Sequence, residues 1–483
     1  MASHSKLLLM VIISALFFAI IFQGSRGLYE TTEGRYAECA RETLNSGNLL
    51  EPMLSGEHHW TKPPMTYICI AIGMKLFGEN EWGVRAYLVL AFILTVIAVY
   101  YTGCLIWNDK NIGLLCAIVF ASSPFTMFAS NSVSTDMLLT LWISLAILAF
   151  WYAVRSKKKS GIVLMWLGFA VAFFTKGPPA LLHLISIVII FILLKRKDRE
   201  IPNLFSIAGL LVFAIFGLGW YLLEIHYHPE LLGYWLKDEL VGRNVSNEFN
   251  RNPEFYKAFV MYLPTMIFGT GAWIFLVFFK RKYLELKFIK WIIPKSIEWK
   301  YISLSIIIPL VIFSISKSKL ALYVLPLFIP LSLAMGYAIN QLIKQNNLKM
   351  KSVVSIFCWT IVVMIIVKGA VSLRDGKPDK DVRPLSKEMS VVLKNYPQHK
   401  IYIIGKHKIA GLEFYLKEII PVINAKEYRE IAKNKSSQET PLFLIKKKNL
   451  EDKEESQLIE EITAIDKLNI REVQDYWAFF SIE

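Results

Sequence analysis

The sequence predicts a mostly helical protein that crosses a membrane many times and ends in a small α/β domain. Three observations carry this expectation. Of 483 residues, 54% are hydrophobic and mean hydropathy is +0.43, more apolar surface than a soluble domain can hide. Apolar runs close to the ~20 residues needed to cross hydrocarbon recur as far as residue 371, separated by short basic loops. Beyond about residue 375 the pattern changes to short strand-like runs. The net charge of +15 sits largely in the short loops, which suits membrane orientation and anionic lipid better than nucleic acid. Five cysteines (Cys39, Cys69, Cys104, Cys116, Cys358) show no CxxC or metal spacing, so no disulfide framework is expected.

The first apolar run, 7–23, follows MASHSK and resembles a signal peptide. With no small-residue cleavage site and many spans behind it, a retained first span is expected. Further runs lie at 84–107, 112–129, 137–154, 161–175, 179–194, 205–223, 259–279, 301–315, 321–343 and 353–371, predicting about 11 spans in all. Residues 65–77 are apolar but short and read as an interfacial segment.

Placing the N-terminus inside puts loops 155–159, 195–199, 280–300 and 344–351 inside, all strongly basic, as the positive-inside rule requires. Loops 23–83, 130–136, 176–178, 224–257 and 316–320, with the C-terminal tail, then fall outside. Asp136, Lys176, Lys317, Lys319 and the polar stretch 29–64 thus share one side. Charge near hydrocarbon costs kilocalories, so ionisable groups gathered at span ends mark a functional face. For any one lysine alone, snorkelling is the competing explanation.

The stretch 29–64 holds Glu30, Glu33, Glu38, Glu42, Arg35 and Arg41, and ends on Lys62-Pro63-Pro64. Tyr36, Ala40 and Leu44 share a helical face and Gly47 can end the helix. Glu30 and Glu33 then lie at or before its N-terminus, where the helix dipole favours carboxylates. The pairs His58-His59 and His226/His228 lack converging acids, which leaves a metal site unsupported. Loop 224–257 has the length of a lid, or of an amphipathic helix lying on the bilayer. Asn244-Val245-Ser246 matches a glycosylation triplet that is common by chance.

In the last region, 400–405, 418–423 and 441–447 read as strands, and 412–416, 426–434 and 450–462 as helices. No phosphate-binding glycine loop or nucleophile constellation accompanies them. The expected plan is a membrane domain over 1–374, including outer loops 24–83 and 224–257, and an outer accessory α/β domain over 375–483.

TEGRYAECARETLNSGNLLEP, TKPPMTY and LFGENEWGVRA, followed by Asp136, FFTKGPPALL and Ser316-Lys317-Ser318-Lys319-Leu320-Ala321-Leu322-Tyr323, occur in consistent order over roughly residues 5–345. This combination resembles the bacterial polyprenyl-phosphate-sugar-dependent glycosyltransferases: the aminoarabinose transferases of lipid A and their relatives in the protein O-mannosyltransferase superfamily. The resemblance implies a GT-C fold with a periplasm-facing site and transfer from a polyprenyl-phosphate carrier. It implies Glu33 and Asp136 as catalytic acids. It puts Arg35, Lys62, Lys176, Lys317, Lys319 and Tyr323 at positions that hold the donor phosphate or shape the cavity, with Glu30, Glu239 and Arg243 as further candidates.

The chain departs from the family where Thr32 and Thr61 replace acids and Leu240 follows Glu239 in place of a histidine. No metal and no cofactor are expected. The expected activity is sugar transfer to lipid A or another lipopolysaccharide component, in the inner membrane. The alternatives are hexosyl transfer to protein or core oligosaccharide, and, in another class, a flippase of lipid-linked sugar. The implied partners are a polyprenyl-phosphate-linked sugar, a lipid or glycan acceptor and the membrane, with no nucleic acid.

Overall fold

The structure, a computed structural model, describes residues 4–196, 200–242, 252–283, 296–373, 380–405, 408–433, 440–446, 468–473 and 476–481. All the predicted apolar runs are helical, but they are not all spans. Among the described residues 8 helices are long and apolar enough to cross a membrane, or 9 if one bent pair counts as a span. The remaining runs of the expected 11 form shorter apolar helices or the bent pair, for physical reasons that differ from run to run.

Helix His4–Ile20 has 17 residues and Lys110–Ala121 has 12. The second ends where the Ser122 and Ser123 hydroxyls donate back to Ile118 O and Val119 O, and Pro124 supplies no N–H. Every residue from Ile112 to Ala121 is buried, so its apolar character serves protein packing rather than lipid contact. Gly336 makes that packing close: a Cβ there would lie 2.6 Å from Cys116 N. The run 259–279 is broken instead, into Phe255–Gly269 and Ala272–Phe279 bent by 83°. Gly271 adopts φ +60° at the break, a conformation that only glycine takes without strain.

The chain divides into two compact units. The first comprises Met1–Gln23, Trp60–Thr66 and Arg85–Lys368; the second comprises Gly24–His59, Tyr67–Val84 and Gly369–Glu483. Within the first, Asp136–Ser156 packs on Lys159–Lys176, with Gly168 against Ala146 and Gly161 against Ala149 and Ala153. Small residues at helix contacts let backbones approach without a hydrophobic drive from water. Segment Ala321–Lys344 is 83% buried along its most apolar stretch, whereas Ile207–Tyr227 is only 22% buried. The former is interior and the latter presents its side chains outward.

The second unit combines the polar stretch as far as His59 with the C-terminal domain. A five-stranded sheet runs in the order Val422–Ile423, His399–Ile404, Thr440–Lys446, Tyr476–Ser481, Leu468–Val473. The first three strands are parallel and the last two pair antiparallel. The strands expected near 400–405, 418–423 and 441–447 are present, and helix Ala425–Lys433 matches the one expected at 426–434. Strands Leu468–Val473 and Tyr476–Ser481 and helix Arg383–Asn395 were not foreseen; the helix expected at 450–462 lies outside the described residues. One sheet face buries Ile401, Ile403, Leu442 and Leu444 against the 383–395 helix, and the other buries Ile404, Phe443 and Ile445 against Tyr428. Helix Glu33–Ser46, ending on Gly47 at φ +75° as its sequence predicts, packs on helix Ala410–Leu416. A Cβ on Gly34 would meet Gly411 Cα at 2.6 Å, so glycine is required at this crossing.

Candidate functional site

In the first unit, Asp136 opens helix Asp136–Ser156 and Lys176 closes helix Lys159–Lys176. Each charge is favoured by the dipole of its own helix, the carboxylate at an N-terminus and the cation at a C-terminus. The second helix stops there because Gly177 (φ +75°) and Pro178 follow. Lys176 Nζ donates to Asp136 Oδ1, with the two side chains 10% and 7% exposed. The same ammonium lies 4.5 Å from the ring centroid of Tyr323, within cation–π range. Asp136 Oδ2 accepts no hydrogen bond among the described residues.

Lys62 is held at the start of helix Met65–Phe77 by Pro63 and Pro64, and its Nζ lies 3.4 Å from Glu239 Oε2. Tyr234 donates to the other oxygen of Glu239 at 3.4 Å. Around this pair stands an aromatic group. The Trp60 ring lies 5.3 Å from His228 and 6.5 Å from Trp220, and the Trp235 ring 5.3 Å from Trp220 and 4.9 Å from Tyr221. Trp235 Nε1 donates to Trp60 O at 3.0 Å, which ties the 234–242 segment to the strand of chain that carries Lys62. The first unit thus gathers Asp136, Lys176 and Tyr323 in one cluster and Lys62 and Glu239 in another.

Lys319 is buried, and donates to Ser316 O at 2.6 Å and Pro253 O at 3.1 Å. Burial lowers its pKa. It holds its loop together. Lys317, two residues before it, is half-buried. Arg243 lies outside the described residues, as do Asn244 to Ser246.

In the second unit, Glu33 is 3% exposed and fully engaged. Arg26 donates to both of its oxygens at 2.5 and 2.8 Å, and Tyr29 N donates to Oε2 at 3.1 Å. The Arg26 guanidinium also lies 4.3 Å from the centroid of Tyr29. Sequence reasoning missed Arg26, which sits in the short link between the first helix and the polar stretch, outside the helix that Glu33 opens. Arg35 lies half-buried, 6.0 Å from the centroid of Tyr36.

Glu30 is half-buried as a residue, but its carboxyl end is enclosed and accepts Gly411 N at 2.8 Å. Burial pushes its pKa up to about 7 against the opposing pull of the Gly411 N–H and Arg35. Glu38, Glu42 and Glu413 come together between helices 33–46 and 410–416. Each already accepts donors: Glu38 from Arg41, Glu42 from Ser55 N and Gly56 N, and Glu413 from Ser55 Oγ and Ile420 N. Helix-to-helix packing accounts for this cluster. The histidine pairs do not converge: His58 approaches Glu51 at 4.0 Å, His59 packs edge-on to Tyr67 and His228 stacks near Trp60.

These features define a polytopic membrane protein with a buried acid–lysine pair at two of its helix ends. Residues 7–235 match the dolichyl-phosphate-mannose-protein mannosyltransferase family. An undecaprenyl phosphate-alpha-4-amino-4-deoxy-L-arabinose arabinosyl transferase from Pseudomonas savastanoi pv. phaseolicola (strain 1448A / Race 6) is 30% identical over 330 residues, covering 67% of this chain and 59% of that protein. The transferase of the same description from Pseudomonas aeruginosa (strain UCBPP-PA14) is 27% identical over 334 residues, 68% of this chain and 59% of its own. The chain therefore spans about 59% of the length of these relatives. Crystal structures of ArnT from Cupriavidus metallidurans superpose over almost the whole chain. The apo form gives a TM-score of 0.78 at 16% identity, covering 99% of this chain and 98% of that one. The form bound to undecaprenyl phosphate gives 0.74 at 18%, covering 98% and 97%. The fold is shared, and the resemblance seen in the first outer loop is borne out. In sequence the chain is similar to undecaprenyl phosphate-aminoarabinose transferases, and in fold to ArnT.

Proposed function

We propose that the protein is an integral inner-membrane glycosyltransferase. It moves a sugar from a polyprenyl-phosphate donor to a periplasmic acceptor, lipid A or another lipopolysaccharide component. The observation that carries this reading is the buried Asp136–Lys176 pair at two helix ends, with one carboxylate oxygen left over.

In the transfer, the bond between the sugar's anomeric carbon and the donor phosphate oxygen breaks, and the polyprenyl phosphate leaves with the electron pair. Lys62 and Lys176 stabilise the charge that grows on that phosphate, in surroundings where a cation counts for more than in water. The acceptor oxygen closes on the anomeric carbon. If the acceptor is a hydroxyl, its proton goes to Asp136; a phosphate acceptor is already anionic and needs no base. Glu33 has both oxygens committed to Arg26 and would have to give up that pair before taking a proton. It braces the first outer loop, and Asp136 carries the proton chemistry.

The test is transfer of radiolabelled sugar from polyprenyl phosphate in vesicles. Wild type should form a glycosidic product, and Asp136→Ala and Lys62→Ala should not. Full activity in both variants would remove this site, and lipid movement without product would make the protein a flippase. Mass spectrometry of lipid A and core from a deletion strain identifies the sugar and acceptor.

A further inference from the structure

The donor phosphate accounts for Lys62 and the acceptor proton for Asp136, but neither accounts for the aromatic group beside Lys62. Trp60, Trp235 and His228 are each half-buried, so their rings keep open surface, while Trp220 behind them is buried. Trp220 is the support: it lies 6.5 Å from Trp60 and 5.3 Å from Trp235. The Trp235 indole is oriented by its bond to Trp60 O and by Tyr221 at 4.9 Å. Tyr221 in turn meets Gly177, the residue after Lys176: a Cβ on Gly177 would lie 2.9 Å from the Tyr221 hydroxyl. The aromatic wall therefore runs from the residue after Lys176 to the residue two before Lys62. A bare core would bury these rings completely. A lipid contact would not fix an indole N–H on a backbone carbonyl beside a lysine–carboxylate pair.

We propose that Trp60 and Trp235 form the platform that reads the transferred sugar, by stacking against the C–H face of a pyranose ring carried on the phosphate at Lys62. The inference rests on the donor reading above. A pyranose has one face of axial and ring hydrogens whose weak positive charge suits the negative face of an indole, and it loses little entropy against a rigid ring. Lys62 lies two residues from Trp60, so a sugar esterified to its phosphate comes within the reach of these rings. Glu239, on the segment that carries Trp235, faces the same space and can accept from a sugar hydroxyl or amino group when the phosphate takes over Lys62. Its pairing with Tyr234 keeps it aimed there. Phosphate capture and sugar reading are then separate tasks on neighbouring residues.

The experiment compares binding of two probes to the purified full-length protein: undecaprenyl phosphate, and undecaprenyl phosphate bearing mannose or 4-amino-4-deoxy-arabinose. Trp235→Ala and Trp60→Ala should weaken the sugar-bearing probe about tenfold more than they weaken the bare phosphate, in keeping with one or two aromatic contacts. Trp235→Phe should recover most of the loss, and indole fluorescence should shift with the sugar-bearing probe alone. Equal weakening of both probes, or no weakening of either, overturns the platform while the donor reading stands. If neither probe binds wild type, the donor reading fails and the platform fails with it. A thermal unfolding scan of each variant separates lost contact from lost fold: a variant that melts with wild type yet binds both probes normally counts against the proposal.

Discussion

Two of the buried acid–base pairs among the described residues differ in design. In the second unit, Arg26 grips both oxygens of Glu33, Tyr29 N adds a third donor and an aromatic ring covers the guanidinium. In the first, Lys176 meets one oxygen of Asp136, and its other face rests on Tyr323. A bidentate arginine pair is rigid and satisfies the carboxylate completely. A lysine pair is a point contact that leaves an oxygen over and can rotate away. Glu33 therefore has the surroundings of a brace, and those of Asp136 suit the reactive role proposed for it. Sequence resemblance alone gave the two acids the same role.

The largest effect expected is at Asp136. Asp136→Asn should lower sugar transfer about a thousandfold, within the range of a lost general base, and should also lower the thermal midpoint, because buried Lys176 then faces a neutral amide; the loss of transfer holds for a hydroxyl acceptor. A small loss with retained fold would point to a phosphate acceptor. Glu33→Gln should act on the fold instead. It removes the negative charge that faces buried Arg26 and should cost ~3 kcal/mol, seen as a lower unfolding midpoint and yield of folded protein. Replacing both partners, Arg26→Met with Glu33→Leu, should restore much of that stability, and transfer activity in the double variant would confine Glu33 to a structural task. Loss of transfer in a well-folded double variant would return it to the chemistry.

Glu239→Gln should have a milder consequence. It removes a carboxylate that competes with phosphate for Lys62, so affinity for undecaprenyl phosphate should rise by about threefold, in line with the modest worth of a partly exposed ion pair. An unchanged or weakened affinity would mean that Glu239 orients Lys62 rather than competing for it. The smallest effect concerns Glu30. Its pKa rises from an ordinary 4.5 to about 7, so between those values the folded state holds a proton that the unfolded chain has released. Stability contributed by this group is present below about pH 4.5 and falls as pH rises through about 7. The unfolding midpoint of the full chain should drop by about 2 °C between pH 5 and 8, and Glu30→Gln should flatten that slope. A rising midpoint that Glu30→Gln leaves unchanged would dismiss Glu30 as the source.

Much of this design was legible in the chain. Lys176 before Gly177-Pro178-Pro179 and Lys62 before Pro63-Pro64 are local signals, because proline and glycine dictate where a helix starts or stops whatever surrounds it. The helix from Glu33 to Gly47 was legible for the same reason. Arg26 was not, since its partnership with Glu33 depends on a turn that carries no periodic pattern. That helix Lys110–Ala121 is buried was not legible, because protein interior and lipid select the same side chains. Strands Leu468–Val473 and Tyr476–Ser481 were missed because a hairpin this short is settled by its partners in the sheet.

By itself, the sequence determined what local chemistry can determine: apolar runs, helix ends, basic loops and the order of the family motifs. Tertiary structure decided which apolar runs are interior, that Gly271 bends one of them by 83°, and that the first outer loop packs with the C-terminal domain in one compact unit. It also decided which donors each acid meets. The number and geometry of donors around a carboxylate come from residues far apart in the chain, such as Asp136 and Lys176, and no local pattern encodes them.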